Sequence, residues 1–155
     1  MKVLSFGEVL WDVYPQEKFI GGAPFNFAAH LAMHGEEVFM LSAVGADDLG
    51  NETIEEINRL GVSTKYISRV GGKPTGRCDV ELDENAVPSY ALLQDVAYDY
   101  IDCDAIGDGF DVLYFGTLSL RSRYNLDSLC KLLGNLGKFV NFALLVTKGF
   151  YNAYT

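Results

Sequence analysis

The sequence predicts an α/β domain: a parallel sheet covered by helices, with a smaller β-sheet appended to it. Two observations predict the main layer. Apolar runs alternate with helical patterns along the first part of the chain, and the runs are apolar on both faces, as strands buried between helices must be. A third predicts the appendage. In residues 77–83 the pattern changes to strict alternation, the mark of a strand with one dry and one wet face.

Residues 3–10 are mostly apolar and read as one buried strand. Gly21-Gly22-Ala23-Pro24 then opens a helix to about Met33. Pro24 suits a first helical turn, where its missing N–H would go unpaired anyway, and Gly35 stops the helix. Residues 37–44 form a second buried run, closed by Gly45. Asp47 and Asp48 place acids at the positive end of the next helix, whose Leu49, Ile54, Ile57 and Leu60 mark one face before Gly61 ends it.

In the appendage, Cys78, Val80 and Leu82 alternate with Arg77, Asp79, Glu81 and Asp83. Asp83-Glu84-Asn85 turns the chain and residues 89–93 return as a partner strand, while residues 11–20 can supply further strands. The α/β pattern then resumes. Residues 112–115 read as a strand ending at Gly116, and 125–136 as a helix with Leu126, Leu129, Cys130, Leu133 and Leu136 at helical spacing. Gly137 caps that helix and 138–140 begin another strand. Beyond it Ala143-Leu144-Leu145-Val146 is apolar, with no evident turn or helix before Thr155.

Composition narrows the function. The 155 residues carry 12 Lys and Arg against 21 Asp and Glu, a net charge of -9, so no basic stripe exists for nucleic-acid phosphates or an anionic membrane. Neither nucleic acid nor membrane is an expected partner. Cys78, Cys103 and Cys130 are odd in number and unclustered, which fits neither a disulfide framework nor a zinc site. The opening residues lack a signal-peptide pattern, and no stretch approaches the roughly 20 apolar residues of a membrane span. A cytoplasmic protein is the expectation.

The loop 19–26 is the first candidate site. Gly21, Gly22 and Ala23 let a ligand approach the backbone, and the following helix aims unpaired N–H groups at it. Asn26 adds an amide that can donate and accept, and Asp12 offers a carboxylate for hydroxyl hydrogens. A polyol suits such a set. On spacing alone, a tight turn with a helix cap explains the loop somewhat better. Gly45-Ala46-Asp47-Asp48-Leu49-Gly50 lies at another strand end, where ligands of open α/β sheets bind, although N-capping by Asp47 or Asp48 also explains it. His30 and His34 share a helix face, but the acid of a zinc-protease motif is missing, and a polar stripe with Asn26 explains them better than a metal. There is no Walker-type loop, and Gly107-Asp108-Gly109 lacks the third glycine of a dinucleotide fingerprint.

Taken together, Phe6-Gly7-Glu8, Asp12, Gly21-Gly22-Ala23-Pro24-Phe25-Asn26-Phe27-Ala28 and Val44-Gly45-Ala46-Asp47-Asp48-Leu49-Gly50 resemble the amino-terminal half of the PfkB carbohydrate kinases, the ribokinase-like enzymes, with fructokinase the nearest flavour. Ala97-Tyr98-Asp99 and Phe115-Gly116-Thr117-Leu118 add to the likeness, which runs from Met1 to about Gly137. The resemblance implies a ribokinase-like sandwich with a small β-sheet lid, its strands within 11–20 and 77–93. It implies that Asp12, Gly22 and Asn26 hold sugar hydroxyls in the double-glycine turn with Gly21 and Ala23. It also implies that Thr117 faces the sugar and that lids of this type can pair two subunits. Tyr90 and Tyr98 are candidate apolar walls, although ordinary packing with a satisfied hydroxyl explains either tyrosine better.

Members of the resembled family run to about twice this length. Their catalytic Asp follows a late Gly-Ala-Gly motif, and they carry a magnesium-associated Asn-x-x-Glu; neither occurs in these residues. Gly45-Ala46-Asp47 imitates the first motif at an earlier position and is not read as the base. Where the family has Asp-x-Asn-x-Arg, this chain has Val140-Asn141-Phe142-Ala143-Leu144. The expectation is a sandwich truncated about midway. ATP and Mg would serve the complete enzyme, no cofactor would bind this chain alone, and a homodimer could form through the lid or the exposed sheet edge.

Overall fold

The computed structural model describes residues 1–82, 88–107, 109–135 and 141–144. The expected turn at 83–85, the cap at Gly137, the strand start at 138–140 and the residues after Leu144 lie outside them.

Two sheets divide the chain. The larger is parallel throughout and has the order β5-β4-β1-β8-β9, with β1 at Lys2–Phe6, β4 at Glu37–Gly45, β5 at Ser63–Val70, β8 at Val112–Phe115 and β9 at Asn141–Leu144. Its strands are buried on both faces because helices cover both. Val3, Val38, Met40 and Val44 pack with Phe25, Ala28, Ile57 and Val62 on one side, beneath α1 (Ala23–Met33) and α2 (Asp48–Arg59). Leu4, Phe6, Leu41, Ala43 and Leu113 face the other way and pack with Leu129 and Leu132 of α3 (Arg123–Asn135). Alternate residues of one strand thus feed two cores.

The smaller sheet has the order β3-β2-β6-β7, from β2 (Leu10–Val13), β3 (Lys18–Gly21), β6 (Arg77–Leu82) and β7 (Pro88–Leu92). β6 and β7 form the expected antiparallel pair, and β2 lies parallel to β6 while pairing antiparallel with β3. β2 begins one residue before and β3 ends one residue after the expected span 11–20, while β6 and β7 lie within 77–93.

The single strand expected at 3–10 is two strands. Gly7 interrupts it at φ 142°, a conformation open to glycine, and a Cβ there would meet Pro24 Cγ at 2.5 Å. The chain therefore leaves the parallel sheet after Phe6 and enters the second sheet at Leu10. β5 is an element the sequence reading lacked. It lies at the edge of the large sheet, so most of its residues are half-buried and its apolar signal is weak.

The two sheets are tied by side chains. Trp11 of β2 donates its indole N–H to Thr53 of α2 at 2.9 Å. Asp99, in the short helical turn after β7, holds Arg121 through a paired contact of 2.8 and 2.9 Å. Arg121 also donates to the carbonyl of Leu93 at 3.0 Å, fixing the segment that leaves the small sheet.

Candidate functional site

All strands of the larger sheet run the same way, so the ends of β1, β4 and β8 open on one edge. Gly7, Gly116 and Gly45 mark that edge. The double-glycine turn folds over it, because β3 ends at Gly21 and α1 begins at Ala23. Gly22 stands between them at φ 110°, and a Cβ on it would lie 2.5 Å from the carbonyl oxygen of Glu8. Only glycine fits there.

The turn brings the predicted residues together unequally. Asp12 sits on β2 opposite Phe19 of β3, and its Oδ2 lies 3.3 Å from where a Cβ on Gly21 would be. Its carboxylate is half-buried, and that desolvation raises its pKa. A hydroxyl donor would stabilise the charged form. Asn26 lies in the first turn of α1 with its side chain exposed, while its backbone N–H reaches the carbonyl of Gly22 at 2.8 Å. Thr117 is half-buried in the turn that follows β8, next to Gly116.

Two expected contacts are corrected. The N–H of Ala23, expected to point at a ligand, donates instead to Glu8 Oε1 at 3.2 Å. Tyr98, expected as a pocket wall, is wholly buried. Its ring fills the space beside Gly76, where a Cβ would lie 2.4 Å from Tyr98 Cε1, and Arg121 stacks 5.1 Å from its centroid. Tyr98 packs the junction and has no surface to offer a sugar. Tyr90 is half-buried on β7.

Asp47 resolves the ambiguity at the second motif. Its side chain caps α2 by accepting from the N–H of Gly50 at 2.8 Å, and it also accepts from the N–H of Thr75 at 2.9 Å. Burial alone would raise its pKa, but the Thr75 hydroxyl, the Thr75 N–H and the Gly50 N–H hold it below the ordinary carboxylate value. The motif thus braces the approach to β6.

Glu8 is the residue the sequence reading passed over as a site. It is 2% exposed, and its Oε2 has no hydrogen-bond partner. Desolvation raises its pKa to about 7, an effect offset only in part by the N–H groups of Glu8 itself, Ala23 and Ser119 and by the charge of Arg121. The available signal was an acid inside an apolar run directly after a glycine. Among the described residues, no group of three or more His, Cys, Asp or Glu could hold a metal ion.

A parallel sheet covered by helices, with a second, smaller sheet, is the architecture of the ribokinase-like sugar kinases. The profile of the pfkB family carbohydrate kinases matches residues 2–132, and the chain belongs to that family. Over 129 residues it is 33% identical to a sugar kinase of Pyrococcus horikoshii, across 80% of this chain and 41% of the relative. The solved structure of that uncharacterised kinase superposes with a TM-score of 0.78 at 28% identity, covering 90% of this chain and 54% of that one. Fructoselysine 6-kinase of Escherichia coli is 32% identical over 88 residues, covering 55% of this chain and 33% of the relative. A fructokinase from Xylella fastidiosa shares the fold, with a TM-score of 0.81 at 23% identity over 92% of this chain and 50% of its own. The chain therefore spans about half the length of these solved relatives and less of the curated ones.

Proposed function

We propose that this chain supplies the sugar-recognising half of a kinase that phosphorylates a sugar hydroxyl from ATP, with a fructose-like substrate favoured. The observation that carries this reading is the placement of the Asp12 carboxylate beside Gly21, at the turn that begins α1. In this reading Asp12 accepts hydroxyl hydrogens, Gly21 and Gly22 admit the sugar to the backbone, and Asn26 and Thr117 complete its polar contacts. The small sheet is the lid. It places Asp12 because β2 is one of its own strands.

Support for ATP as phosphoryl donor comes from the Pyrococcus horikoshii kinase, which has also been solved in complex with ATP and superposes with a TM-score of 0.81 at 28% identity. Magnesium would accompany the nucleotide. Phosphoryl transfer rests on positioning and charge stabilisation, and these residues contain no Gly-Ala-Gly-Asp motif to provide a base and an anion hole. The 155 residues alone are therefore inactive in this reading, and a complete enzyme would need such a motif from outside them. The same observation favours one second reading, a sugar-binding chain that is part of a split protein and transfers nothing itself. The cell compartment is the cytoplasm in either case, and homodimers would form through the lid or the edge of the large sheet. No described helix is long and apolar enough to cross a membrane.

A paired assay tests the proposal. Calorimetry of this chain with fructose should show saturable heat that Asn26→Ala removes, and a coupled assay with fructose and ATP should show no turnover. Turnover by the chain alone would overturn the division of labour. Absence of any sugar response, with fructose and with a panel of other ketoses and sugar acids, would overturn the sugar reading.

A further inference from the structure

Three chain segments meet around one carboxyl group. Glu8 lies in the link from β1 to β2, and its Oε1 accepts from the N–H of Ala23 at the start of α1. Its Oε2 lies 3.2 Å from where a Cβ on Gly116 would sit, in the turn that leaves β8. Its carbonyl oxygen is what forbids a side chain at Gly22. Pro24 closes the remaining side, for its Cγ would lie 2.6 Å from that Gly116 Cβ and 2.5 Å from a Cβ on Gly7. The double-glycine turn therefore rests on the Glu8 side chain and backbone, with no slack on either side.

We propose that Glu8, in its neutral protonated form, is a positioning residue that sets the double-glycine turn against Asp12, and that ionisation of Glu8 releases the turn. This rests on the sugar reading of that turn given above. A neutral carboxyl fills the space between Ala23 and Gly116 without carrying charge into it. Once ionised, Oε2 is a buried anion lacking a hydrogen bond, and relief requires the carboxyl or the turn to move.

The ionisable groups around Glu8 are few. Arg121, from the turn after β8, favours the anion, but its guanidinium is held by Asp99. Tyr114 of β8 and Tyr98 of the short helical turn lie close enough for the charge on Glu8 to act on them. Their hydroxyls and that of Ser119 are buried without a hydrogen-bond partner. None of these hydroxyls is engaged with Oε2, so burial outweighs the backbone N–H groups and the charge of Arg121 and favours the neutral carboxyl.

Carbon-13 labelling of glutamate side chains, with backbone amide spectra recorded from about pH 4 to about pH 9, tests the proposal without any ligand. Glu8 should titrate near neutrality, apart from the other glutamates. The amides of Gly22, Ala23 and Gly116 should shift with the same midpoint, and Glu8→Gln should hold them at their low-pH positions. Fructose titration then reads the consequence. Wild-type affinity should be about tenfold weaker at about pH 8.5 than at about pH 6, the loss that a one-unit rise of the Glu8 pKa on sugar binding would produce. Glu8→Gln should show no such pH dependence.

An ordinary acidic midpoint for Glu8, or turn amides that ignore its titration, overturns the proposal. So does a pH dependence of binding that survives in Glu8→Gln. If the amides follow Glu8 while fructose and related sugars fail to bind at every pH, the positioning role stands and the sugar reading falls.

Discussion

Asp47 accepts hydrogen bonds from both the backbone N–H and the hydroxyl of Thr75, at 2.9 and 2.5 Å, and so fastens the start of α2 to the segment leading into β6. The Thr75 hydroxyl also accepts from the buried N–H of Gly45 at 2.9 Å, the last residue of β4. One side chain thereby links the parallel sheet, a helix cap and the approach to the small sheet.

Removing that hydroxyl should cost stability. Thr75→Val keeps the shape but strands the Gly45 N–H and weakens the hold on Asp47, a loss of roughly 1–3 kcal/mol. Urea unfolding measures it. The Asp47 carboxyl has a lowered folded-state pKa, so its stabilisation is present above the unfolded value and lost as pH falls through the folded one. Thr75→Val should shrink that acid-side loss.

Glu8 should give the opposite pH dependence. A carboxyl whose folded pKa of about 7 exceeds its ordinary 4.5 binds more protons folded than unfolded. Stability should therefore be greatest below the lower value, fall as pH rises between the two, and level off above the higher. The full effect is roughly 3 kcal/mol. It appears as the difference between wild type and Glu8→Gln in urea midpoints across that window. Parallel curves would contradict it.

Two glycines should respond in opposite directions to alanine. At Gly116 the new methyl would meet Pro24 Cγ at 2.6 Å and Glu8 Oε2 at 3.2 Å, and a proline ring held at the start of α1 cannot swing away. Gly116→Ala should destabilise by about 1–3 kcal/mol. Gly134 lies within α3 with nothing near its added methyl, so Gly134→Ala should stabilise by about 0.5–1 kcal/mol. Thermal melts of both variants check the pair.

Local chemistry made much of the fold legible. Pro24 and the glycines before it marked the start of α1, Asp47 marked the start of α2, and the alternation from Arg77 marked β6. What escaped depends on tertiary position. The break at Gly7 is invisible in an unbroken apolar run, because it arises where Pro24 packs against the backbone. β5 escaped because an edge strand need not be apolar on both faces. For the candidate site, the nearness of Asp12 to the glycine turn agrees with what residue type and spacing suggested. The burial of Tyr98 and the roles of Glu8 and Thr75 could not, since each comes from segments distant in sequence that close on one point.

Calorimetric titration of fructose into wild type and into Asp12→Asn decides whether the turn at Gly21 is a sugar pocket. Asparagine keeps the size of the side chain but replaces a two-oxygen acceptor with an amide, so a site built on hydroxyl donation should lose at least about tenfold in affinity. Saturable binding by wild type with that loss in Asp12→Asn is the predicted result. Equal binding by the two proteins would contradict it.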